Sequence, residues 1–311
     1  MLSFQPPGFK VQSFSLPQGA IVYYTQGGNP WPLDSLEEAP VLLFLHSLGG
    51  GSSAYEWSKV YGGLAAEYRI IAPDLIGWGA SAHPPIHYQL EDYLQILRDL
   101  LRAVSNHWKT RPRCVIASSV LGAMMMRLAV EDPECCDRLF LMCPSGYRDF
   151  GSQDSSGLAA QLAALPILDR LIYAVGAANE FAIQNFLSQF LFANPQRITE
   201  EMIQAYLASA LQPNADYAAL SALRGDVFFD LAETIDRLTI PTTFIWGSQA
   251  QFSKPAMGRR LQTLNPQAIQ AFFEIPDTGV LAHLEQPGVV ISLLRSVLQK
   301  GFSRKVEKIN E

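Results

Sequence analysis

The chain has 311 residues, 49% of them hydrophobic and 17% charged, with a formal net charge of -6 at pH 7. That length buries a sizeable core as one large domain or two small ones, and the composition excludes broad disorder. An acidic balance with no basic stripe interleaved with aromatics excludes nucleic acid as an expected partner.

The opening, MLSFQPPGFKV, lacks a charged start followed by an apolar run, so no signal peptide is expected. FSLPQG reads as a strand ending in a turn and AIVYYTQGG as the next strand of a hairpin. NPWPLDSLEEAP is a polar, Pro-rich loop, and PVLLFLHS is a continuous apolar run, the mark of a strand buried on both faces. Strands and helices then alternate. EWSKVYGGLAAEY is expected to be helical, YRIIAPDL a strand, and LEDYLQILRDLLRAV an amphipathic helix. RCVIASS follows as a strand, LGAMMMRLAVEDP as a helix and RLFLMCPSG as a strand. This rhythm means a mainly parallel sheet with helices on both faces.

The rhythm stops near Phe150. GSQDSSG reads as a linker, and residues 158–223 are helical in pattern, with no strand between helices. It resumes at ETIDRL, with the strand TTFIWGS, the helix KPAMGRRLQTL, the strand AFFEIPD and the helix QPGVVISLLRSVLQ. The expected organisation is therefore a core over 1–149 and 229–301, a helical cap over 150–228, and a charged tail over 302–311. The first cap segment, LAAQLAALPILDRLIYAVGAA, is apolar on nearly every face. It reads as a helix pair packed on the core, or as a lid making peripheral membrane contact or admitting a lipid-like ligand. No apolar run of about eighteen residues calls for a transmembrane helix. Cys114, Cys135, Cys136 and Cys143 form no zinc-type or CxxC spacing. Their usage fits a reducing compartment, so a cytoplasmic or organelle-stroma location is expected, with no metal and no cofactor.

The strand LLFLH followed by SLGGG, and DLIGWGAS some way on, resemble the α/β-hydrolase superfamily. The second of these carries that family's Asp-x-x-Gly-x-Gly-x-Ser pattern at Asp74, Gly77, Gly79 and Ser81. IWGS before a helix and HLEQP near the end add to the likeness, which covers residues 20–298. It points to the capped branch with haloalkane dehalogenases, epoxide hydrolases and small esterases. The wording of the chain is also similar to cyanobacterial and chloroplast members. The resemblance implies an α/β-hydrolase fold with a nucleophile on a strained strand-to-helix turn.

By that resemblance Ser119 stands at the nucleophile position, in Ala117-Ser118-Ser119-Val120-Leu121. Leu121 replaces the usual Gly, and a serine there disfavours dehalogenase and epoxide-hydrolase chemistry. Read without the family, Ser119 is an ordinary helix N-cap. The oxyanion donors implied are the backbone N–H groups of Leu48 and Val120, with His46 and Ser47 beside them and Ser47 in place of Gly. The acid position falls on Ala250 and the base position on Val280. His283 matches a second histidine that relatives carry one turn further on, usually structural.

Three functions follow from this. The first is a pseudo-hydrolase that binds a small hydrophobic or ester-like ligand, or a protein partner, in the capped cleft, with at most weak esterase activity. N-myc downstream-regulated proteins are triad-less members of that kind. The second is an active serine esterase with His283 as a relocated base, oriented by Glu285 or Asp277. The third is lyase or isomerase chemistry using His46. The pocket is expected to be apolar, lined by Ser119, Leu121, Ala250 and Val280.

Overall fold

Eight strands form one sheet, and what each strand buries follows from its pattern. The computed structural model describes residues 4–31, 36, 38–151 and 178–307, with the backbone alone from 300 onward. Strands β1 (Phe9–Leu16) and β2 (Gly19–Gln26) form an antiparallel hairpin, and most of β1 is exposed, as suits an edge strand. All of β3 (Val41–Leu45) is buried, which is why its sequence runs apolar without alternation.

The stretch after β3 is less helical than its pattern predicts. Helix α1 covers only Ser58–Tyr61, between 3-10 turns at Ala54–Trp57 and Gly62–Leu64. The Gly62-Gly63 pair explains the shortening, since each glycine is about 1 kcal/mol less favourable in a helix than alanine. Then follow β4 (Arg69–Pro73), α2 (Leu90–Trp108), β5 (Cys114–Ser118), α3 (Ser119–Glu131) and β6 (Leu139–Met142). The start of α2 is fixed by a capping box between Gln89 and Asp92.

Among the described residues of 178–228 there are helices and no strand. They are α4 (Glu180–Phe186), a π-turn (Leu187–Leu191), a 3-10 turn (Pro195–Arg197), α5 (Glu200–Ala210) and α6 (Ala215–Arg224). Asn179 and Thr199 cap α4 and α5 by accepting from the Ala182 and Met202 N–H groups. Polar bonds stitch α5 to the sheet side: Tyr206 O–H donates to Glu56 at 2.9 Å, Ser209 O–H to the Ser52 carbonyl at 2.9 Å, and Gly79 N–H to Ser209 Oγ at 3.0 Å. The lid reading of residues 158–177 lies outside the described residues, as do the linker residues 152–157.

The chain returns through β7 (Thr242–Gly247), α7 (Pro255–Leu264), β8 (Ile269–Ile275), α8 (Ala282–Glu285) and α9 (Pro287–Glu307). Helix α9 runs past the 301/302 boundary expected for a tail, because SRKVE holds no helix breaker and a lone Gly301 is tolerated. The strand order is β1-β2-β4-β3-β5-β6-β7-β8, antiparallel from β1 to β4 and parallel from β3 onward. That is the mainly parallel sheet flanked by helices that the α/β-hydrolase resemblance implied. All four cysteines are buried and free. No helix among the described residues is long and apolar enough to cross a membrane.

Candidate active site

The carboxyl ends of parallel strands are where a doubly wound sheet gathers its loops, so the site is built from the segments after β3, β5, β6, β7 and β8. Between β5 and α3 the chain turns at Ser119, which has φ +56°. A non-glycine residue there is strained, and the strain is held by a fully buried strand on one side and a buried helix on the other. Ser119 is 5% exposed. Its Oγ lies 2.5 Å from the hydroxyl of Tyr147, in the loop after β6. Burial pushes the Tyr147 phenol up to about 12, so it stays protonated at neutral pH. Leu121 is buried in the body of α3.

The loop after β3 is dense in polar contacts. His46 is fully buried, with Nδ1 on the Ser47 carbonyl at 2.5 Å and Nε2 accepting the Leu75 N–H at 3.0 Å. Burial lowers its pKa to about 4, leaving a neutral ring that ties β3 to the loop after β4. Both nitrogens are thus committed to main chain, so the structure does not offer His46 as a proton-transfer group. Ser47 donates its N–H to Glu56 Oε2 at 2.7 Å and its hydroxyl to Oε1 at 2.8 Å. Tyr206 donates to the same carboxylate, which is fully buried and has its pKa raised by that burial. Ser52 Oγ joins Ser47 Oγ at 2.9 Å and accepts the Gly49 N–H at 3.0 Å. Ser47 in place of Gly therefore belongs to a buried network around Glu56. Among the described residues nothing accepts the Leu48 N–H. Val120, in the first turn of α3, has no intrahelical acceptor for its own.

Asp74 anchors the next loop. Its carboxylate accepts from Ala54 N–H at 2.7 Å, Ala80 N–H at 2.8 Å and Tyr24 O–H at 3.2 Å, and burial raises its pKa to about 6. Gly79 has φ +54°, and a Cβ there would lie 2.2 Å from the Asp74 carboxyl carbon, so only glycine fits. Ser81 Oγ accepts the Val22 N–H at 2.7 Å. These contacts explain why Asp, Gly and Ser stand at that spacing.

The other side of the site is apolar. Ala250 and Val280 are both buried. Gly247 brings their loops together: a Cβ on it would meet the Gly279 carbonyl at 1.9 Å, and Gln249 N–H donates to the Thr278 carbonyl at 2.9 Å. His283 is not joined to Ser119. Its imidazole is fully buried, stacks on Trp57 at 4.0 Å, and neither ring nitrogen has a hydrogen-bond partner. Burial lowers its pKa to about 3. Neither expected orienter reaches it. Glu285 accepts from the N–H groups of Gly279, Ala193 and Asn194, and Asp277 pairs with Arg197 at 2.5 Å. Among the described residues no group of three His, Cys, Asp or Glu side chains is placed to hold a metal ion.

Two participants escaped the sequence reading. Tyr147 sits in the turn-rich CPSGY run, whose place after a buried strand marked it as a site loop. Glu56 is a charged residue inside the apolar run AYEW, a sign of a buried polar partner.

Comparisons with known proteins agree with this fold. The sequence model of the alpha/beta hydrolase family matches residues 42–293. An uncharacterized protein of Mycobacterium bovis (strain ATCC BAA-935 / AF2122/97) is 26% identical over 217 residues, covering 68% of this chain and only 61% of its own length. The uncharacterized hydrolase YugF of Bacillus subtilis (strain 168) is 24% identical over 280 residues, 88% of this chain and 92% of its own. The solved 2-hydroxy-6-oxo-6-phenylhexa-2,4-dienoate hydrolase from Rhodococcus sp. strain RHA1 superposes with a TM-score of 0.70 at 20% identity, over 93% of this chain and 98% of that one. At that identity the likeness is one of fold.

Proposed function

The chain belongs to the alpha/beta hydrolase family, and we propose that within it this protein binds a small apolar ligand and does not hydrolyse by a serine triad. In this reading the helices described over 178–228 belong to its cap. One observation carries the reading: the hydroxyl of Ser119 is paired with Tyr147, not with an imidazole. A serine hydroxyl is a weak nucleophile without an adjacent base. A phenol held up to about 12 is a poor base at neutral pH, because it gives up its proton too reluctantly to take one from serine. Ala250 and Val280, at the acid and base positions that the family likeness gives, supply no proton acceptor. His283, neutral and stacked on Trp57, supplies none to Ser119.

What remains are donors. Of the two hydroxyls in the Ser119–Tyr147 pair, one O–H is spent between them and the other is left to give. The N–H groups of Leu48 and Val120 add two more. Such a set suits an acceptor oxygen on a ligand whose remainder is apolar, as the buried Ala250 and Val280 are. A fluorophosphonate probe tests the reading, since it labels only an activated serine. The purified protein should remain unlabelled, and its turnover of short p-nitrophenyl esters should stay at background and be unchanged by Ser119→Ala. Stoichiometric labelling that disappears in Ser119→Ala would overturn it.

A further inference from the structure

The two departures at the site, Tyr147 on the serine and the loop that bears Ala250, both bring aromatic rings, and the rings are continuous. Tyr147 lies 4.8 Å from Phe228 and 6.4 Å from Phe252, measured between ring centroids. Phe252, two residues beyond Ala250, stacks on Phe190 at 5.8 Å with 19° between planes. Phe190 meets Phe186 at 5.9 Å, and Phe186 lies beside the oxyanion loop, where a Cβ on Gly49 would sit 3.6 Å from its ring. The row thus begins at the serine hydroxyl, crosses from the loops after β6 and β7 to the α4 region, and returns to the loop after β3.

Its outer members are not core residues. Phe190 is 42% exposed and Phe252 is 46% exposed. Phe190 is carried by the π-turn Leu187–Leu191, the kind of local helix irregularity that recurs at functional sites because it re-aims a side chain. Leaving two large rings stacked and half open to water is unfavourable unless something else covers them.

We propose that this row is the binding wall for the body of a planar aromatic or conjugated carbonyl compound, whose oxygen meets the donors at Ser119. The proposal rests on the non-hydrolytic reading for its polar end, and on the rings for its apolar end. Successive centroids 4.8 to 6.4 Å apart fall in the range of ring–ring contact, and a nearly parallel exposed pair leaves ring surface for one more ring. The donors at the inner end are the one hydroxyl O–H left over from the Ser119–Tyr147 pair and two main-chain N–H groups, all neutral. They suit a carbonyl oxygen better than a carboxylate, whose burial calls for a cation.

The probe is propionyl-dimethylaminonaphthalene, a planar aromatic ketone whose emission moves to shorter wavelength in apolar surroundings. It should bind the full chain saturably with such a shift. The Phe190→Leu/Phe252→Leu double variant keeps apolar bulk at two half-exposed positions and removes the rings, so it should fold, as an unchanged melting temperature would verify, and should bind about tenfold more weakly. Phe181→Leu, at a residue 75% exposed with no ring contact in the row, should bind as the parent does. Dodecanone, of similar length but flexible, should not displace the probe. The proposal is overturned if the parent gives no saturable shift, if the double variant binds as tightly as the parent, or if dodecanone displaces the probe at equal concentration, which would assign the row to acyl chains. These results are separable from those on Ser119. Fluorophosphonate labelling with the expected probe behaviour overturns the non-hydrolytic reading alone, and an unreactive serine with unchanged binding in the double variant overturns the aromatic wall alone.

Discussion

The loops after β3 and β4 and the loops after β7 and β8 face the same edge of one sheet, yet they are built from opposite materials. The first pair holds two buried carboxylates, Glu56 and Asp74, each accepting hydrogen bonds from main-chain N–H groups and hydroxyls. The second pair meets over Ala250 and Val280, both apolar. The half of the edge that carries the Leu48 N–H is held by a buried polar network. The half that carries Ala250 and Val280 has no titratable side chain at those two positions. Such networks are lost with difficulty, because removing one member leaves the others buried and unsatisfied. Ala250 and Val280 are buried but apolar and belong to no such network, so exchanging either one strands no polar partner.

The strongest challenge to this contrast is to place proton-transfer groups in the apolar half. Ala250→Asp with Val280→His, in a Tyr147→Phe background that frees Ser119, should raise p-nitrophenyl acetate turnover by about 10³-fold, the range of positioned acid–base catalysis. No gain in a protein that still folds would mean that the donors after β3 are not arranged as an oxyanion hole. The opposite operation removes a pillar of the polar half. Asp74→Ala strands the Ala54 and Ala80 N–H groups and the Tyr24 hydroxyl, and should cost about 3 kcal/mol in urea unfolding. A loss below about 1 kcal/mol would show that this half is not maintained by its carboxylates.

Acid sharpens the comparison through the buried histidines. The folded pKa of His283 is lowered to about 3 and that of His46 to about 4, from 6.5. The unfolded chain takes up these protons first, so stability falls as pH drops from about 6.5 toward those values, by about 1.4 kcal/mol per pH unit for each ring. Asp74, raised to about 6, acts in the other direction, weakening folding as pH rises from about 4 to 6. His283→Phe keeps a ring to stack on Trp57 and removes one titration. Between pH 6.5 and 5 it should lose about 2 kcal/mol less than the parent does. Equal slopes in the two proteins would mean that His283 is hydrated in solution. The smallest effect is expected from Tyr147→Phe, which deletes one hydroxyl pair and should cost about 1 kcal/mol. A much larger loss would make Tyr147 a structural prop before it is a ligand donor.

The strands were legible from runs such as LLFLH and CVIAS because a fully buried strand must be apolar throughout. The helix LEDYLQILRDLLRAV was legible from its stripe. Asp74, Gly79 and Ser81 were legible because glycine conformation and short-range main-chain bonding restrict which residues can stand there. The short α1 was misread, since apolar spacing continues across Gly62-Gly63 while helix propensity does not. Tyr147 and Glu56 were missed for a different reason: Ser119 stands 28 residues from Tyr147, and the Glu56 carboxylate joins Ser47, nine residues away, to Tyr206, 150 residues away, none of which any periodicity reports.

Sequence by itself determined the order of strands and helices, the strand-to-helix turn that holds Ser119, and the absence of a carboxylate or imidazole at residues 250 and 280, because each is a property of one short stretch of chain. Tertiary structure alone decided that Ser119 meets a phenol, that Glu56 sits under the loop after β3 and ties it to α5, and that His283 stacks on Trp57 instead of reaching the serine. The physical reason is that these are contacts between loops. Which loops become neighbours is set by the strand order of the sheet, and which side chains then pair is set by the cost of leaving a buried polar group alone.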